Sequence, residues 1–444
     1  MFGYYMMLAL RSLRRNVVIT ALMVAAIGVG IGASMSVYTI LRSMSGNPIP
    51  DKSSQLLTPQ IDVWGPQSRQ NSNQAGRDRL PPLLTYRDAT ALLQAQRAQR
   101  QAAMYAVYLD VRPAGARAFS AAGRATSRDF FAMFEVPFRS GAAWDREADD
   151  LRANVVVISS KLADRLFPHA QAVGKVVTLS NRDYRVVGVT QPWTPTPRFY
   201  DLFSGAFGGN EDFFLPFATA IDRQITANGG EGCNTVPTGG WEAHLNSDCV
   251  WLEVWVELPT AAKARDYAGF LRDYAAEQRQ LGRFHWPPRV ELRNVTDWLV
   301  YNNVVPPAVR AVGLVADGFL VVCLINAVGL LLAKFSSRAT ELALRRALGA
   351  SRGQIFRQCI TETVVIGIAG GILGLALTAA GDMGLRALLA EASRRGLDFA
   401  RLITLDSGMV VITLTVAVVV TVCAGLYPTW RASHVHPAWQ LKAQ

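Results

Sequence analysis

Hydrophobic positions gather in four long runs, at about 17–41, 308–333, 359–381 and 407–427. At 1.5 Å per residue each run is long enough to cross a hydrocarbon layer of about 30 Å. Between the first and second run lie about 265 residues of mixed polarity, room for one or two folded domains. The pattern predicts a membrane α-helical protein with four transmembrane helices and a large α+β extracytoplasmic domain.

Inside that middle stretch the periodicity changes. A helical spacing of Tyr86, Ala89, Leu92, Leu93 and Ala95 predicts a helix within 81–100, followed by a strand at 104–111. The same order recurs downstream: strict alternation at 250–257, an amphipathic helix at 259–281 and a closing strand at 289–292. Two βαβ-like halves, 50–111 and 250–296, therefore enclose an insert, 112–249. The insert reads as mainly β, with strands at 155–159, 176–179 and 184–189 and a short helix at 161–167. Gly-, Pro- and aromatic-rich loops fill 190–248.

Charge supplies an orientation. With the N-terminus inside, the cytoplasmic pieces are 1–16, 334–358 and 428–444. They carry Arg11, Arg14, Arg15, Lys334, Arg338, Arg345, Arg346, Arg352, Arg357, Arg431 and Lys442 against the single Glu341. Lys and Arg in short loops beside spans mark the cytoplasmic side. The outer loop 382–406 runs against this with Arg386, Arg394, Arg395 and Arg401, diluted by Glu391 and Asp398. The middle domain, 42–307, is then periplasmic and both termini are cytoplasmic in an inner membrane. The net charge of +11 follows from topology, and nucleic acid is not expected as a partner. The first run has a basic flank but no small-x-small exit at Leu41-Arg42-Ser43-Met44, so it reads as a retained anchor and not a cleaved signal. Residues 2–15 alternate aromatic and aliphatic residues with Arg11, Arg14 and Arg15, predicting an amphipathic helix on the inner leaflet and contact with membrane lipids.

Candidate chemistry is sparse. Cys233 and Cys249 stand sixteen apart in a Gly/Asn/Pro-rich loop of the head; an oxidising compartment lets them pair, the alternative being two unpaired thiols. Cys323, Cys359 and Cys423 fall in or at the edges of spans and read as small apolar residues. His244 alone does not supply a zinc set. His169, His244 and His285 are scattered through the head, and His434 and His436 lie in the tail, without the partners a triad requires. Asp145, Glu147, Asp149 and Asp150 lack the Gly-containing calcium loop and read as a solvated turn. Gly174-Lys175 is not a phosphate loop. Asp317 and Asp382 sit at outer ends of spans, where water or a partner chain can reach them. Gly28, Gly30, Gly32, Gly367, Gly370, Gly371 and Gly374 permit close helix approach, within the chain or at a dimer seam. No catalytic, cofactor or metal residue is assigned.

The sharpest signal lies between the second and third runs. Glu341-Leu342-Ala343-Leu344-Arg345-Arg346-Ala347-Leu348-Gly349-Ala350-Ser351-Arg352 predicts a short amphipathic helix stopped at Gly349, placed to pass force from a soluble partner into two spans. That segment, together with Leu8-Ala9-Leu10-Arg11-Ser12-Leu13-Arg14-Arg15-Asn16, Ser127-Arg128-Asp129-Phe130-Phe131 ahead of Val155-Val156-Val157-Ile158-Ser159, and Gly425-Leu426-Tyr427-Pro428-Thr429-Trp430-Arg431, resembles the MacB/FtsX-like permease family of ABC transporters. The resemblance spans nearly the whole chain and rests on the joint order of its pieces.

The resemblance implies a mechanotransmission permease working as a homo- or heterodimer with a separate ATPase subunit that binds ATP and Mg. It also implies, as further partners, a periplasmic adaptor and an outer-membrane channel. The two α/β halves would be Porter-like and the insert Sabre-like. The short helix would be the coupling helix, with Glu341, Arg345 and Arg346 toward the ATPase, Leu342, Leu344 and Leu348 toward the membrane or a partner groove, and Gly349 as its stop. MacB-type members carry a fused N-terminal ATPase, whereas this sequence starts at the span, so no catalysis is expected here. Efflux of a small molecule or peptide is the leading expectation; regulation of a periplasmic hydrolase and lipoprotein extraction are the alternatives.

Overall fold

A computed structural model describes residues 7, 11–12, 15–67, 79–113, 115, 117–168, 170–393 and 407–433. Most of the predicted N-terminal amphipathic segment, His169, residues 394–406 of the predicted outer loop, and the tail from 434 with His434, His436 and Lys442 lie outside the described residues. The chain forms two compact units: a head, Gly46–Val304, and a helical unit of Met1–Ser45 with Val305–Gln444.

The first helix, α1 (Val17–Ser45), belongs to the helical unit. The head follows with β1 (Leu56–Ile61), β2 (Leu84–Thr85), α2 (Tyr86–Ala95), β3 (Arg100–Arg112), β4 (Phe119–Thr126), α3 (Asp129–Met133), β5 (Phe138–Gly141) and α4 (Arg146–Asp150). It continues through β6 (Val155–Ser159), α5 (Ser160–Leu166), β7 (Val176–Leu179), β8 (Arg182–Thr190), β9 (Phe213–Pro216), α6 (Phe217–Asp222) and α7 (Gly240–Leu245). Last come β10 (Val250–Glu257), α8 (Ala261–Gln280), β11 (Val290–Asn294) and α9 (Val295–Tyr301). Local chemistry sets several starts. Thr85, Ser159, Thr260 and Asn294 each accept a backbone N–H from the third residue on, filling one of the open donors of a helix N-terminus. The helix predicted within 81–100 is shorter than that window: it starts after the Thr85 cap and ends where Gln96 turns left-handed (φ 47°).

The strands join into one sheet in the order β11-β1-β10-β3-β4-β9-β6-β8-β5, with β2 on β10 and β7 on both β3 and β8. Antiparallel β1 separates β10 from β11, so β10–α8–β11 is a split β-α-β unit. β2–α2–β3 is the second such unit, both strands running antiparallel to β10. The insert does not form a sheet of its own. β3, thirteen residues long, pairs with β10 through Arg100–Met104, with β4 through Met104–Val111 and with β7 at Val111 and Arg112. Through β7 the strands β3-β4-β9-β6-β8 close into a hydrogen-bonded ring, and closure leaves fewer exposed edges. Hydrogen bonding is thus continuous across the boundary expected at 111/112, because one long strand serves both parts.

Both sheet faces are covered, following the two-residue period of a strand. Ala103, Tyr105, Val107, Val156, Ile158, Phe213 and Leu215 enter one core with Leu92, Tyr267 and Leu271 of the helices. Ala102, Met104, Val155, Val157, Phe214 and Trp255 enter the other, packed with Phe130, Phe134, Phe199 and Tyr200. Gly123 of β4 allows this packing: a Cβ there would sit 2.2 Å from the Phe213 ring.

The helical unit is completed by α10 (Pro307–Ser336), α11 (Ala339–Ala347), α12 (Arg352–Ser393) and α13 (Ser407–Ser433). Among the described residues four helices, α1, α10, α12 and α13, are long and apolar enough to cross a membrane. All four run past their predicted ends, α1 and α10 by a few residues and α12 and α13 by more. α12 extends for 42 residues through 382–393, expected to be loop, and α13 continues through Pro428 to Ser433, expected to be tail. Helix contacts use the glycines: Gly28 and Gly32 of α1 lie against Leu373, Gly374 and Leu377 of α12, and Gly370 and Gly374 of α12 against Ile27 and Ile31. Gly367 and Gly371 meet Ala417 and Thr421 of α13. This seam is internal to the chain.

Candidate coupling site

The segment between α10 and α12 is built by two terminal motifs. Leu348 caps the C-terminus of α11; the Gly349 N–H then bonds the Arg346 carbonyl and the Ala350 N–H the Arg345 carbonyl, each at 3.1 Å. This is the Schellman pattern, and it needs the positive φ of Gly349, 101°. Ser351 and Gln354 then form a capping box at the start of α12, with Gln354 N–H to Ser351 Oγ at 3.2 Å and Ser351 N–H to Gln354 Oε1 at 3.0 Å. Four residues, Leu348 to Ser351, therefore link the two helices.

α11 turns Ala339, Leu342 and Ala343 inward at i, i+3, i+4 spacing, where Leu342 packs in one cluster with Phe335, Ile355 and Cys359. Leu344 and Leu348 face outward, 54% and 81% exposed. The expected sidedness is corrected for Leu342, which is buried. Leu342 separates from Leu344 and Leu348, because residues two apart on a helix point to different faces. Glu341 and Arg345 are only partly exposed and bond within the chain: Glu341 to Arg345 at 2.9 Å, to Arg338 at 3.3 Å and to Arg15 at 3.6 Å, and Arg345 Nη1 to Gln358 Oε1 at 2.9 Å. Arg346 is half-buried beside them.

Beneath α11 lies a buried ionic centre. Lys334 and Glu362 are 0% and 1% exposed and form a direct ion pair. Glu362 also accepts from Ser12 Oγ and lies 3.4 Å from Arg338 Nη1, which itself donates to Ser12. Lys334 Nζ reaches Thr20 Oγ1 of α1 at 3.4 Å. The cue in the sequence is a carboxylate standing inside the hydrophobic run 359–381, at Glu362; Lys334 by its position reads only as a loop cation.

In the head, Cys233 and Cys249 are bonded as a disulfide. Glu231 and His244 lie beside Cys249, but its sulfur is committed to that bond, so the trio is not a metal set. His244 pairs with Glu231 at 3.3 Å and lies against Trp241 and Trp251; His285 is exposed. The acidic turn is the short helix α4, capped by Asp145, whose carboxylate accepts the Ala148 N–H. Asp149 is partly buried there, and burial pushes its carboxyl up to about 6 against the opposing pull of Trp144 and Arg128. It lines a cleft of about 510 Å³ between α2 on one side and α4 and α6 on the other.

The head also contains an ionic centre that its sequence spacing does not signal. Arg124 of β4, 1% exposed, contacts Asp201, Glu211 (2.8 Å) and Glu253 (3.8 Å). Arg198 adds contacts of 3.5 Å to Asp201 and 3.7 Å to Glu211, and Tyr200 donates to Glu211 at 2.9 Å. Burial works against these charges, yet Arg124 and Arg198 hold Asp201 and Glu211 below the usual carboxylate range. Two guanidiniums thus balance two carboxylates. Burial and the neighbouring Asp201 push the third carboxyl, Glu253, well above its ordinary value.

Two family models cover most of the chain. The MacB-like periplasmic core domain matches residues 20–264, and the FtsX-like permease C-terminal domain matches residues 314–437. Among curated relatives, the macrolide export ATP-binding/permease protein MacB of Shewanella sp. (strain W3-18-1) is 24% identical over 251 residues, 56% of this chain and 33% of that protein. MacB of Escherichia coli (strain K12) is 25% identical over 273 residues, 58% and 35% respectively. The chain therefore spans about a third of the length of these relatives. Among solved structures, the periplasmic region of MacB from Actinobacillus actinomycetemcomitans aligns with 59% of this chain and 98% of its own, at TM-score 0.37 and 16% identity. The extracellular domain of the ABC-type transporter YknZ from Gram-positive bacteria aligns with 53% and 99%, at TM-score 0.35 and 12% identity. With the core model covering more than half of the chain and the permease model following it in order, the chain belongs to the MacB/FtsX-like permease family of ABC transporters.

Proposed function

We propose that this chain is the non-catalytic permease subunit of an inner-membrane ABC transporter, driven by nucleotide turnover in a separate ATPase and working as a dimer through its periplasmic head. Export of a small molecule or peptide is the activity proposed, in keeping with the names of its MacB relatives. The observation that carries this reading is α11: a capped helix set between two membrane-length helices, fixed on its inner side and presenting Leu344 and Leu348 outward beside Arg346. Two exposed leucines flanked by charge suit a protein groove better than bulk water.

The test is a variant of the full chain carrying Leu344→Asp and Leu348→Asp, tagged and purified from its native membrane. Both side chains are exposed, so folding is expected to survive while co-purification of the ATPase falls at least tenfold. Retention of the ATPase at the wild-type ratio would remove the coupling role from α11. A pull-down with the head, Gly46–Val304, then separates the activities. An adaptor or outer-membrane channel supports export, whereas a captured hydrolase supports regulation.

A further inference from the structure

We propose that Glu362 is the positioning residue that locks α11 onto the spans, so that a push on α11 moves α1, α10 and α12 as one body. The proposal rests on the coupling role of α11 given above, and it concerns how displacement is carried rather than who delivers it.

The geometry converges on one carboxylate. Glu362 sits in the third turn of α12 and receives Lys334 from the end of α10, Arg338 from the α10–α11 junction and Ser12 from the N-terminal segment. Arg338 passes the link to Glu341, Glu341 to Arg345, and Arg345 returns to α12 at Gln358, four residues before Glu362. The result is a closed loop of charged hydrogen bonds running out along α11 and back. Thr20 ties Lys334 to α1 as well.

Buried ion pairs are poor sources of stability, since desolvation offsets most of their attraction and an apolar replacement of similar volume is often neutral. What they supply is directional fixation, because a buried charge must keep its partner. The junction between α10 and α11 is a short break at Ser337 and Arg338, and without the Glu362 anchor it is a hinge. A hinge there would absorb displacement of α11; the anchor converts it into rigid-body motion of the spans.

A purely structural pair and a positional lock separate experimentally. In the full chain, Lys334→Met with Glu362→Leu removes both charges at once. The melting temperature in detergent is expected to stay near wild type. Amide hydrogen exchange across residues 339–350 should nevertheless rise at least tenfold, since Arg338 and Ser12 lose their common acceptor. Exchange at the wild-type rate in a folded double variant overturns the proposal. Should that variant fail to fold, Arg338→Met keeps the Lys334–Glu362 pair and removes the link to α11 together with the Arg338–Ser12 contact. Faster exchange there supports the lock, and unchanged exchange overturns it. No ATPase is present in either measurement, so failure of the lock leaves the coupling reading intact, and loss of ATPase binding in the leucine variant leaves the lock intact.

Discussion

Arg124 and its neighbours show how a buried charge constrains the residues around it. Replacing Glu211 by Gln leaves Arg124 and Arg198 facing one carboxylate in place of two, and breaking one member of a buried ionic group costs about 3–5 kcal/mol. The pH dependence has opposite signs for the two kinds of carboxyl. Asp201 and Glu211 sit below their ordinary values, so their contribution is complete above about pH 4, where the unfolded groups have ionised, and is lost as pH falls through the lower folded values. Glu253 sits above its ordinary value, so the native chain keeps a proton the unfolded chain has released, and stability declines as pH rises from about 4 toward the folded value. Asp149 adds a decline of the same sign that ends near its folded value of about 6. Glu253, raised well above its ordinary value, and Asp212, raised by burial, contribute declines of the same sign. Denaturant titrations of wild type and Glu253→Gln, followed by tryptophan fluorescence between about pH 6.5 and 8, should show a falling stability in the first and a flatter one in the second. Equal slopes would place the retained proton elsewhere.

The elements divide into those dictated by local chemistry and those fixed by distant partners. Gly349 and Ser351 belong to the first kind. Gly349→Ala forces a side chain into positive φ, at about 1–2 kcal/mol, and Ser351→Ala removes the cap of α12, at about 1 kcal/mol. The glycine seam belongs to the second. Gly370→Val drives Cβ to 2.7 Å from Ile27 and should lower the melting temperature in detergent by several degrees, while Gly329→Ala, with open space around it, should not. The same division explains what the sequence disclosed. The spans, the strands at 155–159 and 250–257 and the stop at Gly349 were legible because run length, alternation and one residue type each carry a local signal. The shared role of β3 was not, since nothing within its thirteen residues says that three partners will divide it. Nor was the sidedness of α11: nine residues make too few turns for periodicity to separate Leu342 from Leu344, and the contacts that set its rotation are ion pairs from Arg15 and Arg338 and a hydrogen bond to Gln358. Arg124 gave no cue because its carboxylates lie on β10 and in the loop before β9.

Taken as a molecule, the chain comprises a basic helical unit and a folded head, and the buried pair changes how its charge is counted. Lys334 is neutralised inside the helical unit by Glu362 and drops out of the exposed cations beside the spans. Arg338, Arg345, Arg346, Arg352 and Arg357 remain in the same segment, opposed by Glu341, so the bias still favours that segment on the cytoplasmic side. Export through a periplasmic head requires this orientation, and two exposed positions test it. In a chain with Cys323, Cys359 and Cys423 replaced by Ala and the Cys233–Cys249 disulfide kept, one variant carries Leu348→Cys beyond α11 and another Leu281→Cys in the head, at sites 81% and 67% exposed. A membrane-impermeant maleimide applied to intact spheroplasts should label the cysteine at 281 and spare that at 348. Permeabilisation should then expose position 348. The reverse pattern would put the head on the cytosolic side, where no exported molecule needs it, and α11 beyond the reach of any nucleotide-driven partner.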